Sequence, residues 1–358
     1  MTQRPTLREV ARRAGCSVTT TSNILQGRHR GYRPETVERV LSVAHALGYR
    51  PNRAAQSLAK NRSYTIALVF ERYHPILTRN SYAQHVVDGI LERLFATDYD
   101  LKMVMFNPSA PEQLWGRVQE GAVDGALLLV PAIDSPLLEW RRGSSVPAVS
   151  INSTVPALYQ LSSIDIDNES AMQALTEWVL EQGHRDIGFI KGHPLHWSAH
   201  QRERAFRRVL AQHGIVPREE WIFEGTYSIE GGRLAALQLL EQAALPTAVL
   251  CANDLTAVGF AQVCLERGVR IPDDLSLAGF DDDALALSIM PTLTTVAHNM
   301  QAVGRQAVEM LLELIEHPQT PFQQRLLPGR LIIRSSVRPF HTGVVQVAAQ
   351  HLIQEVQR

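Results

Sequence analysis

The chain has 358 residues, of which 45% are apolar, and a formal net charge of −1. That length supports a large core divided over two or three domains. No apolar run approaches the ~20 residues of a membrane span, and the opening MTQRPTLREV lacks a signal-peptide core, so a cytoplasmic protein is expected. Cys16, Cys251 and Cys264 are scattered without C-x-x-C spacing, so neither a disulfide framework nor a structural zinc site is indicated.

The balanced charge conceals an asymmetry. Residues 1–62 hold 12 Lys and Arg against 3 Asp and Glu, a net of +9, while the rest holds 23 against 33. A basic head on an acidic body is expected when one module meets a polyanion. Within the head, Leu7, Val10 and Ala11 recur at helical spacing, Ala14-Gly15-Cys16 breaks the pattern, and Ser17 offers an N-cap oxygen to a second helix through Leu25. This is a helix-turn-helix outline. The second helix is expected to turn Val18, Thr19, Thr20, Ser22 and Asn23 outward and Ile24 and Leu25 inward. Pro34 starts a third helix with an apolar stripe of Val37, Val40, Leu41, Ala44 and Leu47, ending at Gly48. The following segment, Pro51 to Ala59, is too short to be a stable helix alone.

After Ser63 the pattern changes to short β-rich runs separated by helical stretches such as Tyr82 to Ala96. The first series is TIALVF, LKMVMF, GALLLV and PAVSIN; the second is IGFIKG, EEWIFEG, TAVLCAN and LSLAGFDD. Two such series predict two doubly wound α/β lobes with parallel sheets. Ligands of these lobes sit beyond the carboxyl ends of strands, which points to Phe70, Glu71, Asn152, Asn253 and Asp281.

The ordered motifs TLREVARRAGCS, TTTSNIL, GYRPNRAAQSLA, GHRDIGFIKG, CANDLTAVGF, IPDDLSLAGFDDD and PTLTTVAHNM resemble the lactose-repressor (LacI/GalR) family of bacterial transcription regulators. The resemblance runs from Thr6 to about Pro339. It implies an all-α helix-turn-helix headpiece (1–48), a hinge (49–62) and a periplasmic-binding-protein-like core (63–340). The core would be divided into an N-lobe (about 63–163 and 293–322) and a C-lobe (about 164–290 and 323–340), with a tail over 341–358. Val18, Thr19 and Asn23 would read the major groove, and Thr20 and Ser22 match phosphate-contacting positions. Asn suits bidentate pairing with adenine. Thr6 and Ser17 join this set, as do the hinge residues Asn52, Ala55 and Leu58, with Leu58 wedged into the minor groove. Many relatives carry Val-Ser-Arg where this chain has Thr21-Ser22-Asn23, so the half-site is expected to differ.

For the effector, the resemblance carries over Arg202 as the clamping residue, a planar fork suited to vicinal hydroxyls or a phosphate. Asp281, Asn253 and Asn152 add polar contacts; Tyr227, and Trp197 beside Ser198, offer flat faces. Glu71 and Tyr82 extend the set to the other lobe. The ligand implied is a sugar or sugar phosphate. A structural ion pair for Arg202, a core position for Tyr227 and a helix cap for Asp281 are the competing readings. His193, His196 and His200 have a spacing that admits a metal, against which Pro194 interrupts any shared helix face. No nucleophile elbow, P-loop or H-E-x-x-H is present, so neither an enzyme nor a cofactor is expected. A transport-type binding protein shares the core pattern but has no use for the basic head. Paired hinges and twofold half-sites imply a homodimer on double-stranded DNA. Val345, Ala349, Leu352 and Val356 give two heptad-like steps, short of the three or four needed for a tetramerising seam.

Overall fold

The structure, a computed structural model, describes residues 5–49, 62–71, 81–118 and 122–340. The hinge positions Asn52, Ala55 and Leu58 and the tail seam lie outside the described residues. The chain divides into two compact units, 1–63 and 64–358.

Among the described residues, the first unit holds three helices around a small core. α1 (Leu7–Ala14) starts at Thr6, whose hydroxyl accepts from Glu9 N, and ends at Gly15 in the left-handed region (φ 64°). α2 (Val18–Leu25) is capped by the Ser17 hydroxyl, which accepts from Thr20 N at 3.0 Å. α3 (Pro34–Ala46) follows Arg33, which makes no side-chain cap. Ala14, Ile24 and Val40 form the shared core, and Arg39 Nε donates to Ala14 O at 2.9 Å, tying α3 to the turn between α1 and α2. Leu41 departs from the expected stripe: it is 42% exposed, and Val43 packs on the core instead.

In the second unit the N-lobe sheet contains β1 (Thr65–Glu71), β2 (Asp100–Phe106), β3 (Gly125–Leu129), β4 (Ala148–Ile151), β5 (Ser162–Ile166) and β11 (Gln324–Leu327), all parallel in the order β11-β5-β4-β3-β1-β2. α4 (Ser81–Phe95), α5 (Glu112–Val118) and α6 (Trp140–Gly143) fall between these strands. The C-lobe runs α7 (Asn168–Glu181), β6 (Ile187–Lys191), α8 (Trp197–Gln212), β7 (Ile222–Glu224), α9 (Ile229–Leu240), β8 (Ala248–Cys251), α10 (Asp254–Glu266), β9 (Ser276–Ala278) and α11 (Leu285–Ser288). Its sheet is parallel in the order β7-β6-β8-β9. β10 (Thr295–Ala297) and β12 (Arg330–Ile332) pair antiparallel, and α12 (Met300–Glu316) returns to the N-lobe. Near-continuous apolar strands such as β3 are buried throughout, as parallel sheets covered on both faces require.

The lobe boundaries expected from sequence need correction. β5 crosses the expected break at 163/164 and pairs as a whole element with β4 and β11. β11 was expected in the C-lobe but extends the N-lobe sheet, because backbone pairing with Ser163–Ile166 fixes it there. The segment opening at 293 was expected in the N-lobe, yet Thr294 bridges Ala278 and Ala297 bridges Asp281 beside the C-lobe sheet. The chain therefore passes between lobes after Ile166, between Ala297 and Met300, and between Leu327 and Arg330. Residues 333–340 then run along the C-lobe: Leu277 N donates to Ser336 O at 2.8 Å, and Phe340 N to Gln182 O at 2.7 Å.

Two helix pairs meet through glycine. A Cβ at Gly232 or Gly259 would stand 2.0 Å from Thr256 O or 1.9 Å from Ile229 O, and one at Gly89 or Gly304 about as close to Gln301 O or Val86 O. Backbones touch at both crossings, α9 on α10 and α4 on α12.

Candidate functional site

Each sheet reverses direction of growth at one strand, β1 in the N-lobe and β6 in the C-lobe, and the carboxyl ends beside these points face each other across a cavity of about 180 Å³. Phe70, Glu71, Tyr82, Asn152, Ser198, Arg202, Tyr227, Asn253 and Asp281 all line it. Leu129, Val130, Ala132 and Leu195 supply an apolar side. Trp197 is not part of the lining; its ring packs against the N-lobe cluster that includes Val155 and Leu161. Trp197 opens α8, and its ring crosses to the other lobe while Ser198, one residue on, lines the cavity. Further contacts hold the lobes together here: Ile133 N donates to Leu195 O at 3.0 Å, Gln201 Nε2 to Thr154 Oγ1 at 2.8 Å, and Ser81 Oγ to the Asp283 carboxylate.

Arg202 organises the C-lobe wall. It is 3% exposed, and its Nε donates to Asn168 Oδ1 at 2.8 Å while Nη1 donates to Ala252 O and lies 3.5 Å from Asp281 Oδ1. The guanidinium stacks 3.7 Å from the centroid of Phe280. Nη2 has no partner among the described residues, which leaves a charged donor for a ligand. Asp281, at φ 111°, is aimed by bridging to Ala297, and its Oδ1 accepts from His298 Nε2 at 2.9 Å. Its second oxygen remains available. Tyr227 O–H pairs with Ser198 Oγ at 2.8 Å, and its ring stacks on His196. Asn253 caps α10 by accepting from Thr256 N at 3.0 Å, and its Nδ2 donates to Tyr227 O at 3.5 Å, which leaves one amide hydrogen and one oxygen lone pair.

The N-lobe wall carries the largest unmet demand. Asn152, in the left-handed region at φ 57°, is buried with neither amide atom partnered, and Glu71 Oε1 is buried without a partner. Buried polar groups are almost always hydrogen-bonded, so these atoms leave hydrogen-bonding capacity open beside the cavity. Burial raises the Glu71 carboxyl above its ordinary range, against hydrogen bonds from Ser135 and the Ala132 backbone. Burial also raises the Tyr82 and Tyr227 phenols, so both remain neutral donors and acceptors.

Residues the sequence did not single out complete the network. His298, its side chain buried behind Asp281, has an unpartnered Nδ1. It follows β10 directly, and the strand-end rule would have found it had TVA been recognised as a strand. Asn168 holds Arg202 and donates to Gln201 Oε1 at 3.0 Å. Asp165 is buried on β5 with Oδ2 unpartnered, and its carboxyl is pushed up to about 7, first by burial, against the Ile166 N–H and the Arg202 guanidinium. A folded value above the unfolded ~3.9 means the folded core holds this proton more tightly. The associated stability is complete below about pH 4 and is lost as pH rises to about 7. Asp165→Asn is therefore expected to raise the melting temperature by several degrees at pH 8 and hardly at pH 4, read as the difference between variant and parent melts.

On the headpiece, Val18 and Thr19 are exposed and Thr20, Ser22 and Asn23 half-exposed on α2, while Thr21 is buried and donates to Ser17 O at 2.9 Å. Thr6 and Ser17 stand at helix N-termini, where partial positive charge favours phosphate. Among the described residues no group of three or more His, Cys, Asp or Glu is placed to hold a metal. The His193 and His196 rings lie 4.8 Å apart, and His200 Nε2 is paired with Pro194 O. No helix among the described residues is long and apolar enough to cross a membrane.

A helix-turn-helix unit joined to a two-lobed core enclosing a cavity of mixed apolar and polar lining defines a ligand-receptor DNA-binding protein. Residues 6–52 match the profile described as bacterial regulatory proteins, lacI family, and residues 176–337 that of the periplasmic binding protein-like domain. The HTH-type transcriptional repressor PurR of Photobacterium profundum is 30% identical over 339 residues, covering 93% of this chain and 98% of that protein. Among solved structures, the Lac repressor dimer bound to operator and the anti-inducer ONPF superposes with a TM-score of 0.83 at 26% identity, covering 94% of this chain and 100% of that one. The transcriptional regulator CelR in complex with cellobiose gives 0.72 at 29% identity, covering 93% and 100%. The chain belongs to the lacI family of bacterial regulatory proteins, and it is a DNA-binding transcriptional regulator.

Proposed function

We propose that this regulator is a cytoplasmic homodimeric repressor whose operator affinity is set by a single-ring polyhydroxylated metabolite, a sugar or sugar phosphate, held between the lobes. The observation that carries this is the set of cavity atoms without partners: both amide atoms of Asn152, Glu71 Oε1, and the free edges of Arg202 and Asp281. Such atoms suit hydroxyl groups, while Leu129, Val130 and Leu195 suit the apolar face of a ring. The cavity of about 180 Å³ falls below the roughly 300–1,000 Å³ of drug-sized pockets, which favours one ring over two. The effector would bias the lobe angle and so the pairing of two hinge segments, with Leu58 the proposed minor-groove wedge.

A thermal-shift screen of the full chain tests this against monosaccharides, their phosphates, sugar acids, polyols and nucleobases. A ligand at about 100 times its dissociation constant stabilises by about 2.7 kcal/mol, several degrees for a core of this size. The expected hit is selective for one sugar configuration and changes operator binding in a gel shift. A hit among the nucleobases alone would overturn the sugar reading, and no shift from any of these compounds would overturn the metabolite reading and favour control by a protein partner.

A further inference from the structure

Asn23 does not stand alone on α2. Its Nδ2 donates to the hydroxyl of Tyr32 at 2.9 Å, and Tyr32 packs its ring on the Ala14, Ile24 and Val40 core. The loop carrying Tyr32 is itself tied back: Arg28 N donates to Asn23 O at 3.0 Å, His29 Nε2 lies 3.2 Å from Ile24 O, and Tyr32 N donates to His29 O at 3.2 Å. The tyrosine hydroxyl is thus a fixed point delivered by an anchored loop.

A side-chain amide has two N–H hydrogens and one carbonyl oxygen. Left free, it turns about its terminal bond and presents either one donor and one acceptor or two donors. The first pattern pairs with N7 and the N6 amine of adenine; the second meets the N7 and O6 acceptors of guanine. In the structure Nδ2 faces the Tyr32 hydroxyl and donates to it, which leaves Asn23 one donor and one acceptor, the adenine pattern; the reversed amide would instead accept the phenol proton and present two donors. We propose that Tyr32 is a positioning residue that fixes the amide orientation of Asn23 and so imposes an adenine preference at one position of each operator half-site. This rests on Asn23 being a base reader. It also gives the loop between α2 and α3 a part in sequence choice through a residue that need not touch DNA.

The test is selection from a randomised palindromic duplex pool by the full-length protein, its Tyr32→Phe variant and its Asn23→Ala variant, with the bound sequences read out. Phenylalanine keeps the ring in the core and removes only the hydroxyl. The parent is expected to favour adenine over guanine by about tenfold or more at one half-site position, in line with the cost of breaking a bidentate pair. Asn23→Ala should abolish that preference. Tyr32→Phe should reduce it by roughly fivefold or more and admit guanine there, while the other positions and the affinity for nonspecific duplex stay unchanged. Full retention of the adenine preference in Tyr32→Phe overturns the proposal, as does guanine at the Asn23-dependent position of the parent. If no position responds to Asn23→Ala, the base-reading role of Asn23 falls, and the role of Tyr32 falls with it.

Discussion

Replacing Arg202 by alanine is expected to abolish the effector response and to weaken the core at the same time. The guanidinium serves Asn168 Oδ1, Ala252 O and Asp281 from inside a nearly closed wall and stacks on Phe280. Removing one partner of a buried, hydrogen-bonded charge cluster costs about 3–5 kcal/mol, because the remaining groups stay buried and unpaired. At roughly 2–4 °C per kcal/mol for a domain of this size, the melting temperature should fall by about 6–20 °C. The ligand found in the screen should give no shift at concentrations saturating for the parent. Arg202→Lys separates the two effects: it restores a charge beside Asp281 but not the planar fork, so stability should recover partly and ligand binding should not. An Arg202→Ala protein that melts within about 2 °C of the parent and keeps its ligand shift would contradict the arrangement described.

The second large effect concerns Gly259. Helix propensity alone predicts that alanine at an internal helical glycine stabilises by about 1 kcal/mol. Here the added carbon would stand 1.9 Å from Ile229 O, a backbone atom that no rotamer change can move. The only relief is separation of α9 from α10, against the buried contacts of Ala235, Ala236, Val263 and Phe260. Overpacking of a rigid core typically costs about 1–3 kcal/mol, and a collision with backbone belongs at or above the upper end. Gly259→Ala is thus expected to destabilise by about 3 kcal/mol or more in chemical denaturation. Gly116→Ala is the matched control: it lies in α5 with nothing within 4 Å of its Cβ, so the propensity gain should appear unopposed. Equal effects at the two positions would mean that the helices are not in backbone contact.

Most of the architecture was legible because it rests on local patterns. Fully buried strands such as Gly125–Leu129 and Ala148–Ile151 read as apolar runs, and caps such as Thr6 and Ser17 lie next to the helices they start. Four of the nine cavity-lining residues expected from sequence, Glu71, Asn152, Asn253 and Asp281, share one physical signature, a polar residue where an apolar strand ends, while Tyr82, Ser198 and Arg202 lie on helices and came from the family resemblance. What was hidden depends on partners distant in sequence. β11 reads QRLL, half polar, and becomes a strand only by pairing with β5, far earlier in the chain. Trp197 and Ser198 are neighbours in the chain, yet one serves the other lobe's core and the other the cavity. His298 was missed because β10 is three residues long, too short for any periodicity to show. Asn253 lines the cavity as expected, and it also caps the helix it starts and donates to Tyr227 O, ties set by partners three and 26 residues away.

The late strands have a consequence for synthesis. The headpiece has its own core and is complete by about residue 49, whereas the N-lobe sheet waits for Gln324–Leu327 and the C-lobe for Ser336 and Phe340. At roughly 5–20 residues per second, some 15–60 s separate emergence of the first from completion of the second. During that interval the ribosome carries a helix-turn-helix unit whose core is complete, joined to a receptor whose lobes are both unfinished. A premature stop in the intervening stretch is expected to leave a headpiece with its core complete and a receptor missing at least the strand Gln324–Leu327 or the segment through Ser336 and Phe340.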